Sequence, residues 1–312
     1  MSVNYQPALK RAFQEVNTTT LKAFDAAPSL WRQFVTEVPS RSRSSLFAWL
    51  ANQATVREWK GPRIAHDMAT RTWEVMARKW ELTFKFTRDQ IEDDLEGLGE
   101  QAVMQAHDLG KKFAKHEDLL VAQTLVKGLT GNCWDGQYFF DTDHPIDVDG
   151  ITSGTYSNLF TLALNHANFR TVLTAMLSLQ NEDGTPLIIG DELILMVPTG
   201  LMLEGQGVVE SPELTPATSY GLYGTGGMSK NPYYGRARLV VNPFLTDQTR
   251  WYLMSVGDYI KPLIMLRRRP LEITQTDETA LIWFQEEKWY IGGSARYECS
   301  FALPQYAFTS KP

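Results

Sequence analysis

The sequence is poor in cysteine: Cys133 and Cys299 are the only two in 312 residues. Thiols this few and this far apart exclude a disulfide framework and a zinc knuckle, which need short paired spacings. Positive charge is also short. Against 36 Asp and Glu stand 30 Lys and Arg, a net charge of −6, whereas a protein that grips nucleic acid needs a basic surface. No apolar run, ELILMVP included, approaches the roughly 20 residues that cross a bilayer, and MSVNYQPALKRAF lacks an export signal's apolar core, so the expectation is a soluble, unexported chain. HExxH, GxSxG and a GxGxxG after a strand are missing. No period of 20–50 residues repeats. GTGGMSK falls short of a phosphate loop because Met228 and Ser229 separate Gly227 from Lys230.

What is present is an ordinary globular composition, 43% hydrophobic, with length enough for two cores. The first fifty residues space Leu9, Phe13, Val16 and Phe24 roughly as a helix would. PSLW, EVPS and SRSRSS then break the chain into short pieces, which reads as an arm anchored by Trp31, Phe34, Phe47 and Trp49. WELTFKFT, residues 80–87, alternates strictly, with Trp80, Leu82, Phe84 and Phe86 on one face. Trp73, Val75 and Ala77 continue the period upstream, so residues 57–88 read as a two-stranded ribbon punctuated by Gly61-Pro62. Such a ribbon is marginal alone and its apolar face must be covered, by the rest of the chain or by a neighbouring subunit.

Asp93 with Glu96 resembles a helix cap, and Glu92, Asp93 and Asp94 suit the positive end of a helix dipole. Leu95, Leu98, Ala102, Ala106, Leu109, Phe113 and Leu120 predict a long helix, interrupted once near Lys115 and ending by Gly128. Residues 165–180 predict a second amphipathic helix, ELILMVP a buried strand, and GLMLEGQGVVES a helix. After a glycine-rich loop come strands in RARLVVN, WYLMSV, IKPLIMLRRRPLEI and ETALIWFQEEKWYIGGSARYECSFAL. Arg267-Arg268-Arg269 is expected to pair with the chain's own excess carboxylates rather than with a nucleic-acid backbone.

The stretch CWDGQYFFDTDHP, residues 133–145, gathers Asp141, Asp143 and His144, which as chemistry could ligate a metal and serve a metal-dependent hydrolase. No second histidine or distant acidic partner stands at ligand spacing; His66, His107, His116 and His166 are isolated. Pro145 restricts His144 to extended backbone, and Asp-rich turns bond their own main chain, so a tight aromatic-lined turn is the simpler reading.

That turn resembles the DGQ-F-F-DHP signature of the Mu-like phage and prophage major head subunit. The resemblance extends through PSLWRQFVTEVPS, FAWLANQATVREWKG, WEVMARKWELTFKFTRDQIEDD and the long helix to EEKWYIGGSARYECSFALPQYAF. It implies an α+β protein of the Hong Kong 97-type phage capsid fold: N-terminal arm 1–55, E-loop 56–92, P-domain 93–163 with the spine helix, A-domain 164–246, and a second P-domain part 247–312. Trp31, Trp49, Arg57, Glu58 and Trp59 would belong to the arm and ribbon base. Asp135, Gly136, Phe140, Asp143, His144 and Pro145 would form the turn leaving the spine helix. Trp73, Val75, Trp80, Leu82, Phe84 and Phe86 of the E-loop would contact an adjacent subunit. No catalytic, cofactor or metal residue is implied.

The implied function is a major capsid protein that self-assembles into pentamers and hexamers of an icosahedral shell. The shell would enclose double-stranded DNA without reading its sequence, and would be built in the bacterial host cytoplasm with a separate scaffold protein, a portal and, as an option, a decoration protein. Lys79 or Lys85 are candidates for an inter-subunit isopeptide bond. The rival readings are an encapsulin-like compartment of the same fold and the metal-dependent hydrolase.

Overall fold

The structure, a computed structural model, describes residues 6–50, 58–59, 70–87, 98–147, 153–182, 184–214, 229–275 and 288–312. The acidic cluster at residues 92–96, Arg57, Gly61-Pro62 and the centre of the glycine-rich loop lie outside the described residues, as do the side chains of Leu9, Phe13, Trp49 and Phe86.

The helical spacing read at the start of the arm is seen as a helix. Gln6–Ala26 is one 21-residue helix, α1, which buries Val16, Thr20 and Ala23. It lies along a 30-residue helix, α2 (Leu98–Lys127). The approach is close at Gly110, where an added Cβ would collide with the Thr20 carbonyl oxygen. The expected interruption near Lys115 does not occur, because no proline or turn residue breaks the pattern there. Helix α2 is the spine of the molecule: Leu109, Phe113, Leu120, Val121 and Leu125 are buried in the larger core.

Five-stranded and four-stranded sheets meet around that core. The longer strands are β1 (Val35–Pro39), β2 (Ser44–Leu50), β3 (Thr70–Met76), β4 (Arg78–Thr87), β8 (Leu193–Val197), β11 (Arg238–Val241), β12 (Trp251–Ser255), β13 (Leu263–Gln275), β14 (Lys288–Phe301) and β15 (Ala307–Ser310). Two-residue strands are β5 (His144–Pro145), β6 (Thr155–Tyr156), β7 (Leu159–Phe160), β9 (Glu213–Leu214) and β10 (Ser229–Lys230), with β5 paired to β6 and β9 to β10. Helices α3 (His166–Leu177) and α4 (Met202–Val209) complete the set. Asn165 caps α3, its side chain accepting from the Asn168 amide.

The five-stranded sheet has the order β11-β8-β12-β15-β7. Every residue of β8 and β12 is buried, which explains why both read as continuous apolar runs rather than alternating ones. Ile194, Met196, Tyr252 and Met254 face the core shared with α2. Leu193, Leu195, Val197, Trp251 and Leu253 face a second core, closed by α3 and α4. Strands β12 and β15 come from residues 247–312, so that segment, expected to form one half of the P-domain, contributes to both sheets.

The four-stranded sheet runs β1-β13-β14-β4. One face lies on the spine helix through Leu263, Met265, Ala295 and Tyr297. On the other face Ile264 and Leu266 join Val75, Ala77 and Ala302 in a small cluster. Here the ribbon reading is corrected. β3 pairs antiparallel with β2, from Ser44↔Met76 to Leu50↔Thr70, so the two-stranded ribbon begins a dozen residues earlier than expected. β4 pairs with β14 instead, from Arg78↔Tyr297 to Thr87↔Lys288. The apolar face of β4 is covered largely from within: Trp80, Leu82 and Phe84 are half-buried against the chain's own main core. Trp80 packs at a tilt against the His116 ring of α2, 4.3 Å between centroids, and donates through Nε1 to the Tyr297 carbonyl at 3.0 Å. Val75 is buried and Trp73 half-buried at the ribbon root, Trp73 Nε1 donating to Ser300 Oγ at 3.1 Å. Of these five side chains Val75 alone is fully buried within the chain and the other four are half-covered; alternation identifies a strand's apolar face but not what lies on it.

Among the described residues, no helix is long and apolar enough to cross a membrane.

Candidate functional site

The turn that follows the spine helix is built from backbone constraints first. The Gly131 amide donates to the Lys127 carbonyl at 2.7 Å, and Cys133 N donates to Gln137 O at 2.7 Å. Gly136 closes the loop at φ +89°, a left-handed conformation that glycine adopts without steric cost. Asp135 accepts the Gln137 amide on Oδ1 at 3.1 Å. Its other oxygen, Oδ2, lies 2.6 Å from His144 Nδ1. His144 is fully buried and the Asp135 side chain is 3% exposed. The His144 ring stacks on Tyr156 at 5.0 Å, and its Nε2 is shielded with no hydrogen-bond partner among the described residues. Burial, then the nearby Asp135 charge and Cys133, push the Tyr156 phenol well above its ordinary value. Burial likewise raises the Cys133 thiol, so it stays protonated and unreactive.

The three residues that could have ligated a metal do not converge. Asp141 spends its oxygens on the amides of Thr142 (2.7 Å) and Tyr138 (3.3 Å). Asp143 is exposed, and His144 faces Asp135. Among the described residues no three His, Cys, Asp or Glu side chains gather as a metal site. What the turn does instead is join parts. Phe139 stacks on Phe301 of β14 at 4.7 Å, Phe140 meets Tyr252 of β12 at 5.7 Å, and Trp134 Nε1 donates to the Ala302 carbonyl at 2.8 Å. Asn158, fully buried, donates to the carbonyls of Phe139 and Pro304 and accepts the Asp141 amide. The end of the spine helix is thereby bonded to both sheets.

A second polar constellation is one that sequence reasoning misses. Glu117 and Asp118, in the middle of α2, are 2% and 6% exposed. Asp118 Oδ1 accepts the amides of Leu30 (3.0 Å) and Trp31 (2.9 Å). Glu117 accepts Trp31 Nε1 at 3.1 Å and Arg267 Nη1 at 2.7 Å, and Arg267 also reaches Glu37 of β1. The clasp fixes the arm to the spine and to β13. Burial raises the Asp118 carboxyl, outweighing the two amides that lower it. The legible signal is position: Glu117 and Asp118 lie one turn from Phe113 and from Leu120 and Val121, on the buried side of the helix. The expected pairing of the arginine run is seen for Arg267 and for Arg269, which meets Glu272 at 3.2 Å.

Among the described residues part of the surface stays open. A groove of about 690 Å³ opens between the free edge of β1, the turn and the loop after α3, lined by Val38, Phe47, Trp134, Tyr156, Leu179 and Tyr259 among others. Tyr259 is 96% exposed, and the ribbon turns Leu46 and Met76 outward.

Comparison with known proteins places this architecture. The chain matches the family of the Mu-like prophage major head subunit gpT over residues 9–162 and 246–312. It is 34% identical over 135 residues to the Mu-like prophage FluMu major head subunit of Haemophilus influenzae, 43% of each chain. It is 35% identical over 129 residues to the major capsid protein of Escherichia phage Mu, 41% of each. The matched stretches thus span less than half the length of these curated relatives. Among solved structures, the bacteriophage JBD30 procapsid chain aligns with TM-score 0.58 at 24% identity, over 100% of this chain and 76% of that one. The JBD30 capsid chain aligns with TM-score 0.55 at 26% identity, over 71% and 92%. A virus-like particle from Pyrococcus furiosus shares the fold alone, with TM-score 0.53 at 10% identity, over 99% and 100%. These neighbours are phage capsid proteins and a capsid-like particle, of the Hong Kong 97-type α+β fold. With the family match covering most of its length, this chain belongs to the Mu-like prophage major head subunit family.

Proposed function

We propose that the chain is a major capsid protein that self-assembles into pentamers and hexamers of an icosahedral shell around double-stranded DNA. Family membership carries the reading, and the curated relatives are head and capsid proteins rather than enzymes. The open surface supports it. A soluble monomer has little reason to keep an outward ribbon, an open sheet edge and a large groove together. In this reading the ribbon β2–β3, rather than β4, is the E-loop, and the side chains offered to a neighbour are Leu46 and Met76. The acid excess of the chain suits a container whose contents must not adhere. Assembly would take place in the bacterial host cytoplasm, with a separate scaffold protein and a portal, and a decoration protein where the outer surface carries one.

Electron microscopy of the expressed chain, alone and with a coexpressed scaffold, tests the proposal. Closed particles or capsomer rings are expected. A chain that stays monomeric at every concentration and salt tested would overturn it, and an enzyme copurifying inside empty shells would favour the encapsulin reading.

A further inference from the structure

The face of the four-stranded sheet that the spine helix leaves uncovered carries a concentration of positive charge. Arg269 and Arg296 are cross-strand partners on β13 and β14, and Arg268 sits in the register shift between Arg267 and Arg269. Alternation along β14 turns Ala295 and Tyr297 to the spine side and Arg296 away from it. Arg43 stands at the ribbon root, its carbonyl accepting the amide of Ala77, a member of the small cluster on this same face. Among the described residues only part of the charge is compensated. Arg269 takes Glu272 and Ser294, but Arg43, Arg268 and Arg296 have no ion-pair partner among the described residues. Arg296 Nε is shielded from solvent and also lacks an acceptor there. Partial burial, then the charges of Arg268, Arg269 and Arg43, make Arg296 hold its proton less tightly than usual. Guanidinium groups gathered on one face without counter-charge are destabilising unless an anion joins them.

We infer that Arg43, Arg268 and Arg296 form a docking patch for carboxylates presented by a second copy of this chain, at the root of the ribbon. The inference rests on the shell-forming reading and adds the residues that would set its register. Charge complementarity selects the partner. Each copy carries 36 acidic against 30 basic residues, so a second copy brings surplus carboxylates. A nucleic-acid surface would instead be a basic stripe following the backbone.

The test compares the full-length wild type with Arg268→Gln/Arg296→Gln and with Arg296→Lys. Neutralisation leaves the free subunit's thermal unfolding unchanged or slightly raised, since it relieves repulsion, and raises the concentration needed for shell formation about tenfold. In shells of the Arg296→Lys variant, a zero-length carbodiimide couples the introduced amine to an Asp or Glu of another copy, identified by mass spectrometry on mixed light and heavy subunits. A double variant that folds and assembles at the wild-type concentration overturns the patch while leaving the shell reading intact. So does a variant that assembles normally but loses binding to a double-stranded DNA oligonucleotide, which would reassign the arginines to nucleic acid. A wild type that forms no shells removes the shell reading and the patch together.

Discussion

The two sheets of this protein are finished to different degrees. The five-stranded sheet is sealed on both faces by its own chain: the central strands β8 and β12 expose nothing, with one core toward the spine helix and another toward α3 and α4. Among the described residues the four-stranded sheet is sealed on one face only. Its other face holds a five-residue cluster, the root of a ribbon and a group of arginines. In the reading proposed above, the first sheet is closed within the subunit and the second carries the surface offered to other copies.

The contrast is broken most forcefully by cutting into the sealed sheet. Trp251→Ala or Leu195→Ala removes a side chain buried from every side and should cost about 3–5 kcal/mol of unfolding free energy. Leu46→Ala on the exposed ribbon should cost under about 0.5 kcal/mol in the same urea titration while impairing particle formation. Equal losses at the two sites would dissolve the distinction.

The clasp between arm and spine comes next. Arg267→Met leaves Glu117 buried without its cation and should destabilise by about 3 kcal/mol, whereas the double change Arg267→Met/Glu117→Gln should recover much of that loss. Chemical denaturation of the single and double variants reads the coupling directly.

Asp118 sharpens the picture through pH. Its folded-state value lies above the ordinary 3.8, so ionisation opposes folding. The favourable contribution is complete below 3.8 and is lost as pH rises through the folded-state value. Asp118→Asn keeps an acceptor for the Leu30 and Trp31 amides and should flatten that part of the stability profile, with little loss near neutrality. Asp118→Ala should cost about 2 kcal/mol at any pH.

The smallest effect belongs to Asp247. Burial would raise its carboxyl, but hydrogen bonds from Lys311 and Thr249 outweigh that and lower it to about 2. The contribution is therefore present above 3.8 and fades as pH falls toward 2. Because the group is partly in solvent, its side chain 30% exposed, Asp247→Asn should remove under about 1 kcal/mol near neutral pH, seen as a small drop in melting temperature that vanishes in acid.

Sequence pattern and final structure agree where a single element carries its own signal. ELILMVP and WYLMSV are apolar without interruption because both faces of β8 and β12 are covered, and the long helical period is seen as α2, though without the break expected near Lys115. Agreement fails where the structure depends on partners distant in the chain. WELTFKFT announces a strand with one apolar face, yet its partner β14 lies about two hundred residues away, and nothing in an alternating pattern names it. The same holds for β1, which joins β13 in parallel. The full length of helix α1 is hidden because its apolar positions are few and Thr20 fills one of them. The turn 133–145 is legible as a turn through Gly136 and Pro145. The burial of Asp135 with His144 is not, since an aspartate and a histidine read as surface until their environment is known. Glu117 and Asp118 escape notice for the same reason.

Hydrogen exchange on free subunits and on assembled particles tests the division of labour most directly. Amides of β8 and β12 should be protected already in the free subunit and change little on assembly. Those of the ribbon β2–β3, and of β13 and β14 around Arg268 and Arg296, should gain protection when shells form. Protection gained mainly in β8 and β12, with the ribbon unchanged, would contradict the account.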